Sequence, residues 1–252
     1  MHEKDVIAGR NAVSEAIKSG RPIEALHVRR GEGKSGSIIA ILAKAKEKGI
    51  LIKETDGRKL DQMCDGANHQ GIVAIAGVKE YAQLQDIFDL AESRGEPPFI
   101  IICDELSDPH NLGAILRTAE CTGAHGVIIP KRRSAGLSFT VGKASAGAVE
   151  YVPVVRVNNI TDTLRTLKEK GLWVYAGDFG GTTWCEVDYQ GPVALVIGSE
   201  GSGISRLVKE NSDFIVSLPM QGNIKSLNAS VAAGVFCYEI LRQRTKMKSK
   251  NP

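Results

Sequence analysis

The chain has 252 residues, which is long enough for one large domain or two small ones. Its composition, 42% hydrophobic and 24% charged residues, is ordinary for a globular protein and excludes wholesale disorder. No apolar run reaches the roughly 18 residues of a membrane span, and the first residues do not show the pattern of a signal peptide. The five cysteines are widely spaced, which argues against a disulfide framework or a zinc ribbon. We therefore expect a cytoplasmic protein that binds neither membrane nor metal. The net charge of +3 is too small to indicate a binding partner. Basic residues are concentrated in residues 1–78, in the run Lys131-Arg132-Arg133 and in residues 242–252, where they can attract phosphate groups.

Short helix and strand patterns alternate along the first part of the chain. The predicted helices are residues 11–20 and 38–48, and the predicted strands are residues 25–29, 50–54 and 71–77. This pattern predicts a small N-terminal α/β domain over residues 1–78. Residues 79–96 are acidic and helix-like and lead into Pro97-Pro98, so they are predicted to be a linker between two domains.

A second series of apolar strands and helices runs over residues 97–247. The predicted strands are residues 99–103, 126–129, 152–157, 172–175, 193–197 and 214–218, and the predicted helices are residues 111–122, 161–170, 204–211 and 227–242. This alternation indicates a parallel sheet covered by helices, in which ligands bind beyond the carboxyl ends of the strands. Residues 248–252 are predicted to be a basic, disordered tail.

The first polar cluster, residues 104–120, follows an apolar strand. Asp108-Pro109 is a signal for a helix start, and an apolar stripe follows it along the predicted helix. Asn111 and Arg117 lie outside this stripe and six residues apart, so they reach a common ligand only if the start of the helix faces it. Taken alone, a helix cap explains Asn111, and a solvated helix position explains Arg117.

The second polar cluster, residues 197–204, reads I-G-S-E-G-S-G-I. Three glycines after a buried strand suggest a close approach of the backbone to a ligand. The spacing G-x-x-G-x-G is neither the dinucleotide fingerprint nor the P-loop. Glu200 in the middle of the loop would repel a phosphate, so the ligand is expected to be neutral or cationic at this point.

The third polar cluster, residues 218–231, lies between the last strand and the last helix. Ser226 and Asn228 bracket the predicted helix start, where unpaired backbone N–H groups are available. A helix cap explains Ser226 and leaves Asn228 unexplained, because Asn is a mediocre residue inside a helix. The sequence contains no G-x-S-x-G, H-E-x-x-H or kinase motif, so hydrolase, metalloprotease and kinase functions have no support.

In chain order, the runs N-L-G-A-I-L-R-T-A, I-G-S-E-G-S-G-I-S and L-P-M-x-G-x-x-x-S-L-N-A-S resemble the three motifs of the SpoU (TrmH-like) branch of the SPOUT methyltransferases. Residues 9–13 and 66–71 also resemble the substrate-binding domain of large-subunit rRNA members of this branch, so the resemblance covers nearly the whole chain. It implies an α/β fold whose C-terminal parallel-sheet domain contains a deep trefoil knot, a rare exception among protein chains. It also implies that the small N-terminal domain is similar to ribosomal-protein-type RNA binders.

The resemblance implies an activity as well. Members of this branch transfer a methyl group from S-adenosyl-L-methionine to a ribose 2′-hydroxyl of RNA, and they are homodimers that pack through their knotted domains. By motif position, the cofactor would lie against Gly198, Leu218 and Leu227, and the catalytic set would be Asn111, Arg117, Glu200, Ser226 and Asn228.

The expected roles follow from the chemistry of these side chains. We expect Arg117 to take or steer the 2′-hydroxyl proton and to contact a substrate phosphate, for which its guanidinium is well suited. Asn111 and Glu200 would orient Arg117 and the ribose, while Ser226 and Asn228 would shape the pocket by hydrogen bonds.

We expect the substrate to be a guanosine of 23S rRNA, with the basic N-terminal domain binding folded RNA. Within the same class, the alternative is a tRNA ribose methyltransferase, which the N-terminal domain disfavours because such relatives often lack it. From another class, the alternative is a non-catalytic RNA-binding or ribosome-assembly protein, and the complete set of five motif residues speaks against it.

Overall fold

A computed structural model describes residues 4–34 and 36–248. The strands are β1 (Lys4–Ala8), β2 (Ile23–Arg29), β3 (Leu51–Thr55), β4 (Ile72–Gly77), β5 (Phe99–Asp104), β6 (Gly126–Pro130), β7 (Val154–Val157), β8 (Trp173–Thr183), β9 (Val193–Gly198) and β10 (Phe214–Ser217). The helices are α1 (Arg10–Lys18), α2 (Gly36–Glu47), α3 (Gly57–Met63), α4 (Leu84–Arg94), α5 (Pro109–Thr122), α6 (Phe139–Ala144), α7 (Ile160–Glu169), α8 (Arg206–Glu210) and α9 (Ala229–Lys248). The chain forms two units, Met1–Glu80 with Leu137–Tyr151, and Tyr81–Gly136 with Val152–Pro252.

The first unit is built on a four-stranded mixed sheet in the order β1-β4-β2-β3. Strand β4 is antiparallel to β1 and β2, whereas β3 is parallel to β2. Helices α1 and α2 bury Val13 and Ile38 against Leu26 on one face of the sheet. On the other face, Leu60 of α3 is buried with Phe139 of α6 packed against it.

The first unit is discontinuous in sequence, which differs from the predicted domain of residues 1–78. The guanidinium of Arg21 lies 2.6 Å from the carboxylate of Glu150, and the two side chains are only 7% and 3% exposed. Tyr151 donates a hydrogen bond from its hydroxyl to Glu15 at 2.6 Å. Because a buried charge is stable only when it is paired, these contacts fix the segment Leu137–Tyr151 to the first unit.

The predicted linker at residues 79–96 contains a packed helix, α4. The Gln83 backbone N–H donates to Asp86 at 2.8 Å at its start, and Gly95 ends it in a left-handed conformation. Ile87 is fully buried in the core of the second unit, where a Cβ on Gly126 would lie 2.4 Å from its Cδ1. The acidic residues that suggested a linker are therefore the exposed face of an amphipathic helix.

The second unit is built on a six-stranded sheet in the order β10-β8-β9-β5-β6-β7, and every pair in it is parallel. This confirms the predicted α/β class with a parallel sheet. The chain runs outward from β5 to β7, crosses to the opposite side of β5 with β8, and then places β9 between β8 and β5. The order of strands thus reverses between β5 and β9, and a crevice forms at such a point beyond the carboxyl ends of the strands.

Helix α9 is longer than predicted and reaches Lys248. Arg244 explains the extension, because its guanidinium donates to the carbonyls of Pro97 at 2.9 Å and Gly191 at 2.8 Å and so holds the end of the helix. The predicted tail, apart from Lys248, lies outside the described residues. Among residues 4–34 and 36–248, no helix is long and apolar enough to cross a membrane.

Candidate active site

Three side chains from the three polar clusters meet beyond the carboxyl ends of β5 and β9. The Asn111 amide donates to Glu200 Oε1 at 3.1 Å, and the Asn228 amide donates to Asn111 Oδ1 at 2.9 Å. The same Asn228 nitrogen also donates to Glu200 Oε1. We call Asn111, Glu200 and Asn228 the polar triad. In the sequence, Glu200 and Asn228 are 89 and 117 positions away from Asn111.

Helix α5 places Asn111 in its first turn, where the residue is only 4% exposed. The cap of this helix is Asp108, whose carboxylate accepts a hydrogen bond from the His110 backbone at 2.9 Å. The helix-cap explanation of Asn111 is therefore wrong. Because Asp108 already caps the helix, the side chain of Asn111 is available for the hydrogen bonds of the triad.

Helix α9 is capped by Asn228, which the sequence left unexplained. Asn228 Oδ1 accepts from the backbone N–H groups of Ser230 at 3.0 Å and Val231 at 3.2 Å. The cap assigned to Ser226 is thus wrong, since the helix starts at Ala229. One Asn side chain caps the helix with its oxygen and joins the triad with its nitrogen.

Glu200 is presented by a tight turn after β9. The backbones of Ser199 and Gly203 exchange hydrogen bonds of 3.2 and 2.9 Å, which close the turn. A Cβ on Gly198 would lie 2.3 Å from the carbonyl carbon of Gly203, so only glycine fits there. The close approach expected at Gly198 is therefore to its own loop.

Asp104 is a site residue to which the sequence assigned no role. Its side chain is at the end of β5, is 4% exposed and accepts a hydrogen bond from the Ser205 backbone at 2.8 Å. This bond ties the far end of the Glu200 turn to the central strand. The only available sequence signal was its position directly after a buried strand.

A cavity of about 390 Å³ lies beside the Glu200 turn. Its lining includes every residue predicted to bind the cofactor and two of those predicted to be catalytic: Gly198, Leu218, Leu227, Glu200 and Ser226. Strand β8 bulges out between its pairings with Ile215 and Val216, and the bulge places Phe179, which is 60% exposed, on the cavity wall. This volume is within the range of small-molecule sites, roughly 300–1,000 Å³.

Arg117 lies apart from the triad within the chain. Six residues on an α-helix correspond to a rotation of about 600°, so Arg117 and Asn111 lie on different faces of α5. The side chain of Arg117 is exposed and makes no hydrogen bond or ion pair within the part of the chain that the structure describes. The expected contact of Asn111 and Glu200 with Arg117 is therefore absent within one subunit for these described residues.

Two fully buried thiols lie in the second unit, Cys103 on β5 and Cys237 on α9, and their burial argues against a nucleophilic role. Burial raises the pKa of Cys103 to about 12, and it raises the pKa of Cys237 as well. Both thiols therefore stay protonated near neutral pH. Among the described residues, no group of three or more His, Cys, Asp or Glu side chains could hold a metal ion.

Comparisons with known proteins match most of the chain. Residues 98–238 match the SpoU rRNA Methylase family, and residues 6–82 match the family described as RNA 2'-O ribose methyltransferase substrate binding. The "Putative TrmH family tRNA/rRNA methyltransferase YacO" of Bacillus subtilis is 49% identical over 243 residues, which cover 96% of this chain and 97% of that protein.

Solved structures show the same architecture. The AdoMet-bound rRNA methyltransferase from Sinorhizobium meliloti matches with a TM-score of 0.77 at 26% identity, covering 95% of this chain and 87% of that one. A structure described as RNA 2'-O ribose methyltransferase matches with a TM-score of 0.79 at 26% identity, covering 97% and 90% of the two chains. These matches span both units.

Proposed function

This chain belongs to the SpoU rRNA methylase family, and we propose that it methylates the ribose 2′-hydroxyl of a guanosine in 23S rRNA. The family resemblance drawn from the three motifs is thereby confirmed. The protein is an RNA 2′-O-ribose methyltransferase, and its methyl donor is S-adenosyl-L-methionine. The assignment to 23S rRNA, to guanosine and to the subgroup of large-subunit enzymes is part of the proposal.

The observation that carries the proposal is the position of Glu200. Glu200 belongs to the polar triad and also lines the cavity beside Gly198, Leu218 and Leu227. A methyl donor bound in that cavity and a ribose hydroxyl bound at the polar triad would therefore lie on either side of the Glu200 carboxylate. Alignment of this kind can supply roughly 7–11 kcal/mol of a reaction barrier.

The cavity fits S-adenosyl-L-methionine in its chemistry. Leu218, Leu227 and Phe179 offer apolar surface for an adenine ring, and Lys225 on the same cavity wall offers a cation for a carboxylate. Glu200 gives the wall a negative charge where a sulfonium would be favoured, which agrees with the expectation of a neutral or cationic ligand. When bound, the cofactor supplies an electrophilic methyl group on a positively charged sulfur.

The triad is suited to hold the ribose. Both amide contacts of Glu200 use Oε1, so Oε2 is available to accept a hydrogen bond from a sugar hydroxyl, as far as the described residues show. The contacts from Asn111 and Asn228 fix the carboxylate, and preorganised groups of this kind lower a barrier more than mobile ones. Ser226 lies on the same cavity and can donate a hydroxyl hydrogen bond.

We propose that Arg117 acts in the site of a second subunit. The protein would be a homodimer that packs through the second unit, threaded as a trefoil knot, as the family resemblance implies. Arg117 of the partner subunit would then reach the ribose and a phosphate at the triad. The exposure of Arg117, and its separation from Asn111 on α5, support this arrangement.

A mixture of two inactive variants tests this arrangement. Arg117→Ala and Glu200→Gln subunits should each be inactive alone, but a mixed dimer would contain one intact site. With random pairing in a symmetric dimer, about a quarter of the wild-type activity should return on mixing. Mixtures that stay inactive after verified subunit exchange would contradict the shared site.

The RNA preference is tested with the purified protein and tritiated S-adenosyl-L-methionine. We expect transfer to 23S rRNA transcribed in vitro, at a single ribose mapped by mass spectrometry, and loss of transfer with Glu200→Gln. Transfer to pooled tRNA transcripts instead would favour the tRNA alternative. Binding of RNA without methyl transfer to either substrate would favour the non-catalytic alternative.

The first unit is proposed to bind the RNA. Residues 6–82 match a substrate-binding family, and this part of the chain is net basic in sequence. Proteins read folded RNA mainly through its shape, its 2′-hydroxyls and its phosphates. The additional RNA contact offered by this unit is the feature that favours 23S rRNA over tRNA.

A further inference from the structure

A second cavity lies on the other side of the Glu200 turn. It measures about 480 Å³, and its lining residues are Glu105, Leu106, Ser107, Asp108, Asn111, Arg133, Ser199, Glu200, Gly201 and Ser202. Residues 199–202 also line the first cavity. The turn that carries Glu200 is therefore a wall that the two cavities share.

The entrance of the second cavity is formed by the loops after the adjacent strands β5 and β6. The guanidinium of Arg133 lies 3.0 Å from the carboxylate of Glu105, and the Ala135 backbone donates to the Leu106 carbonyl at 2.8 Å. Glu105 and Arg133 both have left-handed backbones, with φ of 54° and 56°. Such conformations are disfavoured for side-chain-bearing residues and cluster at binding sites, where the surrounding structure holds them.

The charges of the cavity limit what it can accept. Three carboxylates line it, from Glu105, Asp108 and Glu200, against the single guanidinium of Arg133. A phosphate deep in this cavity would be repelled, whereas a sugar or base with hydroxyl and N–H donors would be accepted. The Arg133 side chain is 79% exposed, so its charge is available to a phosphate at the rim.

From this arrangement we infer that the second cavity takes the acceptor nucleoside of the RNA and that Arg133 binds a phosphate next to it. The inference rests on the proposed function, because it places the acceptor across the Glu200 turn from the methyl donor. Arg133 is a positioning residue in this account. It would exchange its ion pair with Glu105 for a bidentate contact with the phosphate.

The inference is tested by comparing Arg133→Ala with Arg132→Ala in the full-length protein. Arg132 is the neighbouring exposed arginine, and it lines neither cavity, so its removal changes the net charge equally without removing the inferred contact. The assay measures methyl transfer to 23S rRNA transcribed in vitro at several salt concentrations. Calorimetry measures the binding of S-adenosyl-L-methionine, and thermal unfolding verifies that each variant folds.

We expect Arg133→Ala to raise the KM for RNA about tenfold, because the substitution removes one charge-assisted hydrogen bond. The kcat should stay within about twofold of the wild-type value. The slope of log KM against log salt concentration should fall by about one, which corresponds to the loss of one phosphate contact. Arg133→Lys should recover part of the affinity. Arg132→Ala removes the same net charge from the basic run without removing the inferred contact, so it should change the KM by no more than about twofold. Cofactor binding should be unchanged in all three variants.

The outcomes separate this inference from the proposed function. If the wild type methylates the RNA and Arg133→Ala has the same KM as Arg132→Ala, the second cavity is not the acceptor site and the proposed function stands. If Arg133→Ala changes cofactor affinity instead, Arg133 acts on the first cavity and the inference fails. A wild-type protein that transfers no methyl group to rRNA or tRNA overturns both.

Discussion

Asn228 makes two kinds of contact that substitutions can separate. Its oxygen accepts hydrogen bonds from the backbones of Ser230 and Val231 and caps α9, while its nitrogen donates to Asn111 and Glu200. Asn228→Ser keeps an oxygen that can cap the helix and removes the amide N–H donor, which the shorter hydroxyl does not replace at the same position. Asn228→Ala removes the cap and the donor together. The difference between the two variants therefore isolates the cap.

The expected stabilities follow from these contacts. Asn111 is only 4% exposed, so loss of the hydrogen bond to its oxygen should cost about 2 kcal/mol in Asn228→Ser. Water can replace the contact to the exposed Glu200, so that loss adds little. Asn228→Ala should cost about 1 kcal/mol more, the usual worth of a helix cap. For a chain of this size, 1 kcal/mol corresponds to roughly 2–4 °C in the midpoint of thermal unfolding.

Both variants should lose methyl transfer by a factor on the order of 10², because Glu200 is no longer held in place. Thermal unfolding followed by circular dichroism measures stability, and initial rates of tritium transfer to RNA at saturating cofactor measure activity. A wild-type rate in Asn228→Ser would refute the catalytic role of the polar triad. Equal unfolding midpoints for the Ser and Ala variants would refute the helix cap.

Three further predictions concern the two cavities and the core. Gly198→Ala should weaken binding of S-adenosyl-L-methionine at least tenfold in calorimetry, because its Cβ would overlap the Gly203 backbone. Gly234→Ala should bind the cofactor normally, since Gly234 lines neither cavity and nothing lies within 4 Å of the added atom. Glu150→Gln should lower the free energy of unfolding in urea by about 2 kcal/mol, since it removes one carboxylate from a buried ion pair that Asp5 still partly satisfies; an unchanged urea midpoint would contradict this. Iodoacetamide at pH 8 should label only the exposed thiols of the native protein, and mass spectrometry should find the label on Cys121 and Cys185. The other three thiols are buried, which shields them from the reagent, so label on a buried cysteine before unfolding would contradict this burial.

The sequence by itself determined the strands and helices that follow Pro98 in the second unit and the chemistry available to it. Runs such as residues 99–103 are apolar throughout because both faces of a parallel strand are covered, and this pattern is local to the run. The three motifs also supplied each member of the polar triad. In the first unit, β1 was missed because its five residues, K-D-V-I-A, are too few and too mixed to show a strand period.

Only the tertiary structure decided which of the predicted residues meet. Sequence spacing placed Asn111 and Arg117 together on one helix, yet Asn111 contacts Glu200 and Asn228 from distant loops, while Arg117 lies on another face. The roles of Asp104 and of the segment Leu137–Tyr151 were equally invisible, because each depends on a contact with a residue more than a hundred positions away. Periodicity reports how one segment is buried, whereas the order of strands in the sheet decides which loops are neighbours.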